Sequence, residues 1–328
     1  MTMIETYLPE LASLWQQTKG HPDIAVAILD GSVDQSHPCF EGANLTQLQT
    51  LVSADQATPS HHGTHVASII FGRHNNQMNG SEVHGIAPKS RGLILPIFGE
   101  VEPGRPAPCS QTDLARAITQ AVEAGANVIN ISGGQLASSA EPEHLLSNAI
   151  RLCKEKNVLI VAAAGNDGCK CLHVPAAVDS VLAVGAMDAD GKPLGFSNWG
   201  DAYQSQGILA PGQNILGAVP NGGTVMMSGT SFAAPIVSGI VALLLSIQVE
   251  NRVSPDPAAV RAALLNTAHP CNPQETSDCT RFLAGVLNIK GAYEQMTKES
   301  RVEAEKVIMS EAINEFDSDE PMDDEFNE

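Results

Sequence analysis

The sequence has little positive charge. Its 328 residues include 18 lysines and arginines against 37 aspartates and glutamates, a formal net charge of −19. A nucleic-acid-binding protein needs a basic surface, so the composition argues against nucleic acid as a partner. Twelve of the acids lie in residues 299–328, which carry a net charge of −10. The remaining −9 says little about the ligand of the main part of the chain.

The sequence also lacks the usual marks of export. Its first 15 residues, MTMIETYLPELASLW, contain no basic segment followed by an uninterrupted apolar stretch, unlike a secretory signal. We also identify no apolar run long enough to span a bilayer. These absences predict a cytoplasmic location and no membrane partner.

Cysteines are few and odd in number. Seven cysteines fit a mostly reduced chain. Cys271 and Cys279 bracket a polar loop and are the best candidates for a disulfide. Cys169 and Cys171 form a Cys-x-Cys pair, but the sequence offers no second ligand pair for a zinc site.

Short apolar runs alternate with amphipathic segments along most of the chain. A chain that is 43% apolar can bury a large core, and such alternation predicts an α/β fold. We expect a doubly wound parallel sheet with helices on both faces, in one domain over 1–298. The acidic segment 299–328 is expected to be a disordered tail or linker. Strands are predicted at 23–30, 92–98, 126–132, 158–166, 180–188 and 207–219, and helices at 4–19, 64–72, 111–125, 143–156, 232–246 and 256–268.

Three chemically useful side chains are predicted to meet at one edge of this sheet. Asp30 ends the first strand, the histidines of HHGTHVAS (61–68) open a helix, and Ser231 opens another. Ligands of parallel sheets bind outside the carboxyl ends of the strands. A carboxylate, an imidazole and a hydroxyl arranged there are the groups of a serine nucleophile.

Ser231 itself allows two interpretations. The stretch NGGTVMMSGTSFAAPIVSGIVALLLS (221–246) ends in an apolar helix with Pro235 placed in its first turn, where a missing N–H costs little. Ser231 could be a helix N-cap. It could also be a nucleophile whose oxyanion gains from the free amides of the helix start.

Five segments resemble those that define the subtilisin-like serine proteases of peptidase family S8. They are VAILDGSVD, HGTHVAS, VINISGG, VAAAGN and SGTSFAAP, within residues 8–290. The order Asp, His, Ser is also that of subtilisin, which is a known example and not an independent finding. Phe232 and Ile236 depart from the residues that are usual in the family.

The resemblance implies roles for individual residues. Asp30 would orient the imidazole of His62, the general base, and Ser231 would be the nucleophile. Asn166 and the backbone N–H of Ser231 would bind the oxyanion, whereas His61 and His65 would be structural or exposed. The substrate backbone would pair with Ser132, Gly133 and Gly134, and its first side chain would be bound by Ala163, Ala164 and Gly165.

Further segments, among them GCKCLHVPAA, GFSNWG and HPCNPQE, resemble the proteases of cyanobactin biosynthesis. One group removes the leader of a ribosomal precursor peptide after a signal such as Gly-Leu-Glu-Ala-Ser. The other group closes the core into a macrocycle and carries a helical insertion between Asp and His. Asp30 and His62 are only 32 positions apart, which leaves little room for a helical pair, so we expect the leader protease. The macrocyclase, a degradative subtilase and an inactive precursor-binding scaffold remain alternatives.

The resemblance also bears on ligands and partners. Many subtilisin-like enzymes hold calcium where this chain has RHNNQMNGSEVHGIAP (73–88), but these residues equally suit a solvated loop. We therefore expect no cofactor, with calcium as the alternative. The expected partner is a precursor peptide, and other biosynthetic enzymes are further candidates. Arg73, Arg105 and Lys170 could pair with an acidic residue of its signal.

Overall fold

A computed structural model describes residues 3–49, 58–74, 83–102, 105–106, 109–274, 276 and 278–298. The acidic segment 299–328 lies outside this range, and so do residues 75–82 of the calcium candidate. Helices and strands alternate as the sequence predicts. The helices are α1 Met3–Tyr7, α2 Leu11–Gln17, α3 His61–Phe71, α4 Gln111–Glu123, α5 His144–Glu155, α6 Thr230–Glu250, α7 Pro257–Thr267 and a last one over 289–298.

Seven strands form one parallel sheet in the order β11-β10-β8-β6-β1-β3-β2. Three smaller sheets pair β4 with β5, β7 with β9, and β12 with β13. The strands are β1 Ala25–Asp30, β2 Leu45–Gln47, β3 Arg91–Pro96, β4 Glu100–Glu102, β5 Arg105–Pro106, β6 Val128–Ile131, β7 Gln135–Ala137, β8 Leu159–Ala163, β9 Leu172–Val174, β10 Leu182–Met187, β11 Gly207–Pro211, β12 Ile215–Val219 and β13 Gly223–Met227.

Both faces of the large sheet are covered, as the unbroken apolar strands predict. Along β1, Val26 and Ile28 join the core beneath α3 and α6, whereas Ala27 and Leu29 join the core beneath α4 and α5. Successive side chains of a strand point to opposite faces, so one strand contributes to both cores. The doubly wound α/β architecture is therefore confirmed.

Helix α6 starts earlier than the sequence predicts. It begins at Thr230, and Pro235 therefore lies inside it rather than in the first turn. Proline has no N–H to donate, so the backbone carbonyl of Ser231, four residues before Pro235, accepts no helical hydrogen bond from that position. By length and composition α6 could span a membrane, contrary to our prediction from the sequence, but almost all of it is buried in the protein core.

The segment predicted at 207–219 forms two strands, β11 and β12, which belong to different sheets. Two further segments are interrupted at a proline or a glycine. The helix predicted at 4–19 is divided into α1 and α2 around Pro9, because proline cannot continue a helix. Strand β8 ends at Ala163, and Gly165 has a φ of +102°, which glycine adopts readily. The chain therefore turns just before Asn166.

Four cysteines are paired. Cys271 is bonded to Cys279, the pair favoured by the sequence, and Cys169 is bonded to Cys171. The pairing of Cys169 with Cys171 was not predicted. Cys39, Cys109 and Cys153 are free thiols.

Candidate active site

Asp30 and His62 meet at the carboxyl edge of the large sheet. Asp30 is the last residue of β1, and His62 lies in the first turn of α3. The Nδ1 atom of His62 is 2.8 Å from Oδ1 of Asp30, and both side chains are buried. A carboxylate only accepts, so Nδ1 carries the proton and Nε2 is left with the lone pair of a general base.

The approach of α3 to β1 depends on two glycines. A side chain on Gly63 would overlap the backbone carbonyl of Gly31, and one on Gly31 would overlap Ser60. The Ser60 hydroxyl caps α3 by accepting from the N–H of Gly63 at 2.7 Å. The local sequence around both glycines therefore holds His62 against Asp30.

The environment of Asp30 favours a positive charge on His62. Its Oδ1 also accepts from the N–H of Gly31 at 2.7 Å, whereas Oδ2 is buried with no hydrogen-bond donor among the described residues. A buried carboxylate that is incompletely solvated stabilises a neighbouring cation strongly. The pair is thus suited to accept a proton at His62 during attack.

Ser231 is not the cap of α6. The N-cap position belongs to Gly229, and the Ser231 hydroxyl donates to the carbonyl of Ser132 at 2.9 Å. This contact rules out the N-cap interpretation, because an N-cap serine would accept from its own helix. The hydroxyl instead points across the cleft to the segment after β6.

Thr230 orients the side-chain amide of Asn166, one of the two expected oxyanion donors. Its N–H and its hydroxyl both donate to Oδ1 of Asn166, at 2.9 and 3.0 Å. A backbone N–H can only donate, so this contact assigns the amide oxygen of Asn166 and leaves its NH₂ to the cleft. The Ser231 N–H, at the start of α6, has no acceptor among the described residues. Both expected donors are available for an oxyanion.

Thr230 contacts the candidate oxyanion donor and was not singled out by sequence reasoning. It is fully buried, and its hydroxyl also accepts from the N–H of Gly165 at 3.3 Å. It therefore joins the start of α6 to the turn that follows β8. Its place directly before Ser231 was the only available signal.

A cavity of about 450 Å³ runs along this edge. Of the residues implied to bind substrate, all but one line it. Ala164 is fully buried in the core beneath α4 and α5, because alternation sends its side chain to the face opposite to that of Ala163. The lining includes His62, Phe98, Ser132, Gly133, Gly134, Ala163, Gly165, Asn166, His173, Thr230, Ser231 and Phe232.

His65 is a structural histidine on the inner side of α3. It is fully buried, and its Nε2 lies 3.1 Å from the carbonyl of Ile215 and 3.2 Å from that of Val225. Burial lowers its pKa to about 4. Its ring packs edge-on against Phe232 at 4.6 Å. His65 therefore connects α3 to the β12–β13 hairpin through hydrogen bonds and to Phe232 through ring packing.

Two of the three basic residues suggested for an acidic substrate residue are already engaged. Lys170 pairs with Asp201 at 2.8 Å, and the Arg73 guanidinium donates to the carbonyl of Pro88 at 3.2 Å. The side chain of Arg105 is outside the described set. Among the described side chains, no three His, Cys, Asp or Glu are grouped to hold a metal ion.

An imidazole hydrogen-bonded to a buried carboxylate lines the same cavity as a serine hydroxyl and two candidate oxyanion donors, and these are the groups that acyl transfer through serine requires. Serine peptidases that share these groups differ in fold, and the parallel sheet with this site at its carboxyl edge places the chain in the subtilisin-like class. The profile of the subtilase family matches residues 21–302. The chain therefore belongs to the subtilase family.

Known relatives agree with this assignment. A thermophilic serine proteinase of Bacillus sp. (strain AK1) is 33% identical over 255 residues, which cover 77% of this chain and 58% of that protein. The structure of the prenylagaramide maturation protease PagA is 58% identical, with a TM-score of 0.81 over 87% of this chain and 98% of that one. The PatG macrocyclase in complex with peptide is 36% identical, with a TM-score of 0.78 over 89% of this chain and 97% of that one.

Proposed function

We propose that this protein is a serine endopeptidase that hydrolyses a ribosomal precursor peptide and removes its N-terminal leader in cyanobactin-type biosynthesis. Ser231 attacks the carbonyl of the last leader residue, and His62 takes the proton from its hydroxyl and passes it to the amine of the core, which leaves as the C–N bond breaks. Asn166 and the Ser231 N–H stabilise the oxyanion. Water then releases the leader from the acyl-enzyme.

The segment between Asp30 and His62 is the reason for proposing hydrolysis and not ring closure. Its described residues, 31–49 and 58–60, contain a short 3₁₀ helix at Pro38–Phe40 and the strand β2, and no α-helical pair. An acyl-enzyme that is open to solvent reacts with water more readily than one that is covered. The higher identity to PagA than to the PatG macrocyclase supports the same choice.

Mass spectrometry of a cyanobactin-type precursor peptide tests this function. The wild type is expected to release the leader and a linear core whose summed mass exceeds that of the precursor by one water. Ser231→Ala is expected to give no product, and Ser147→Ala, which changes an exposed serine of α5, should match the wild type. The three samples are compared at equal concentration.

Each other outcome contradicts the proposal in a different way. A core that is one water lighter than the linear one would identify a macrocyclase. An intact precursor with all proteins would favour a scaffold or another substrate. Digestion of casein as fast as the precursor would indicate a degradative subtilase.

We propose further that the enzyme acts in the cytoplasm, with no nucleic-acid or membrane partner and with other biosynthetic enzymes as candidate partners. The low positive charge supports the absence of a nucleic-acid partner. The four catalytic groups use no cofactor, and calcium at 73–88 remains an alternative. Fractionation of producing cells, followed by immunoblotting, tests the location, and recovery in the membrane or periplasmic fraction would refute it.

A further inference from the structure

His173 is the one imidazole besides His62 among the described residues that line the cavity. It lies in β9, and its ring occupies the space beside two glycines of the cleft. A Cβ on Gly165 would be 2.8 Å from ring carbons of His173, and one on Gly134 would be 3.2 Å from its Nδ1. The ring therefore lies between the two segments expected to hold the substrate.

A hydrogen-bond network that starts at Nε2 holds the His173 ring in place. Its Nε2 is 2.8 Å from Oδ2 of Asp167, and the same oxygen accepts from the side-chain amide of Asn198 at 2.8 Å. Asn198 is buried, accepts from the Asp167 N–H at 2.8 Å and donates its own N–H to the carbonyl of Gly165 at 3.0 Å. The N–H of His173 donates to the buried Tyr203 hydroxyl at 2.8 Å.

This network fixes the tautomer of the neutral ring. The Asp167 carboxylate accepts, so Nε2 carries the proton and Nδ1 carries the lone pair. Nδ1 has no hydrogen-bond partner among the described residues, and it faces the Gly134 side of the cavity. An acceptor at this position binds a substrate group that can donate.

We propose that His173 determines the specificity for the substrate residue just before the cleaved bond. Its ring limits that residue to a small side chain, and its Nδ1 accepts a hydrogen bond from a hydroxyl on it. Asp167 and Asn198 act as positioning residues that hold the ring. The inference rests on the proposed peptidase function and adds the side chain that the site selects.

The size limit follows from the packing around the ring. The ring occupies the space beside both Gly165 and Gly134, so a long substrate side chain that enters between these glycines would meet the imidazole. Truncation of His173 to alanine opens that volume. It also removes the acceptor, so both parts of the preference depend on one side chain.

The test uses peptides of the form Gly-Leu-Glu-Ala-X followed by a short core, with X as Ser, Ala or Leu. kcat/KM is measured for each peptide at pH 8. The wild type is expected to prefer Ser over Ala by about fivefold, the contribution of one hydrogen bond, and to cleave the Leu peptide poorly. His173→Ala should abolish the Ser preference and raise cleavage at Leu about tenfold.

Two variants separate specificity from a loss of folded enzyme. His173→Gln keeps a polar acceptor of similar reach and should retain part of the preference for Ser. His144→Ala, an exposed histidine of α5, should leave every ratio unchanged. Ratios between peptides are independent of the fraction of active enzyme, so partial unfolding cannot imitate the result.

The proposal is overturned if His173→Ala lowers all three kcat/KM values by one factor or leaves the ratios as in the wild type. If the wild type cleaves none of the peptides and not the full precursor either, the proposed function itself is wrong. Cleavage by the wild type therefore tests the function, and the ratios measured with His173→Ala test the inference.

Discussion

At the scale of single residues, the site depends on which way a few polar groups face, and therefore on which atoms can donate into the cleft. Thr230 illustrates this, because its backbone N–H fixes which end of the Asn166 amide faces the cleft. Because the donor is already oriented, no free energy is needed to reorganise it during the reaction, and this makes it effective. The activity should therefore respond to Thr230 as well as to Asn166.

We expect Asn166→Ala to lower kcat roughly 100- to 1,000-fold, the loss measured for the corresponding donor in subtilisin itself. Thr230→Val keeps the backbone N–H but removes the hydroxyl, and one lost hydrogen bond predicts a smaller decrease of about fivefold. Steady-state kinetics on the leader peptide measures both.

Thr119→Val provides the control, since the Thr119 hydroxyl bonds only within α4. An unchanged kcat in Thr230→Val would mean that the backbone N–H alone orients Asn166. A loss as large as that of Asn166→Ala would instead mean that Thr230 acts on the nucleophile directly.

At the scale of elements, the position of α3 relative to β1 decides the catalytic geometry. Gly63→Ala places a methyl group against the carbonyl of Gly31. We expect the helix to shift, with a loss of about 1–3 kcal/mol of unfolding free energy and a decrease in kcat of up to about 100-fold.

Chemical denaturation and kinetics of the same preparation measure this effect. Gly195→Ala is the matched control, because a Cβ on Gly195 meets nothing within 4 Å. Wild-type kcat in a stable Gly63→Ala variant would contradict the role assigned to this close approach.

His65 connects α3 to the β12–β13 hairpin and predicts a pH dependence of stability. Its pKa is about 4 in the folded protein and ordinarily about 6.5 in an unfolded chain. The unfolded state therefore binds more protons between these values, and the free energy of unfolding falls as the pH drops from 6.5 to 4. The shift corresponds to roughly 3 kcal/mol.

Urea denaturation of the wild type and of His65→Gln at pH 7, 5.5 and 4 tests this prediction. Glutamine retains a donor but does not titrate, so its profile should be flatter. His74 adds a slope of the same sign, because burial also lowers its pKa to about 4, and it remains in the variant. Identical profiles for wild type and variant would refute the assignment to His65.

At the scale of the whole molecule, the domain boundary at 298 remains a prediction. Residues 299–328 carry 12 acids and few large apolar residues, so we expect them to add nothing to the packed core. Their deletion should leave the melting temperature and kcat/KM unchanged. A decrease of several degrees would show that they pack against the domain.

The disulfide Cys271–Cys279 closes a loop near the end of the described chain. In oxidised protein, Cys279→Ser is expected to lower the unfolding free energy by about 2–3 kcal/mol. With reductant present, the wild type and the variant should be equally stable. Cys109→Ser, which changes a free thiol, should have no such redox dependence, and equal stability of Cys279→Ser and wild type under oxidation would contradict a stabilising bond.

The alternation of apolar runs by itself determined the sheet and its helices, because strands buried on both faces have few other arrangements. The motifs around Asp30, His62, Asn166 and Ser231 identified the chemistry, since those side chains act only in combination. Local breaks were harder to place. Pro9 divides a predicted helix, and α6 extends back to Thr230 because packing, not propensity, sets its start.

Only the tertiary structure decided what depends on distant segments meeting. It showed that Ser231 bonds to Ser132 and does not cap its helix, and that Ala164 faces the core while His173 faces the cleft. It also showed that Thr230 orients Asn166, 64 positions away in the chain. A sequence records which groups are present, whereas the folded chain sets their distances and directions, on which hydrogen bonds and specificity depend.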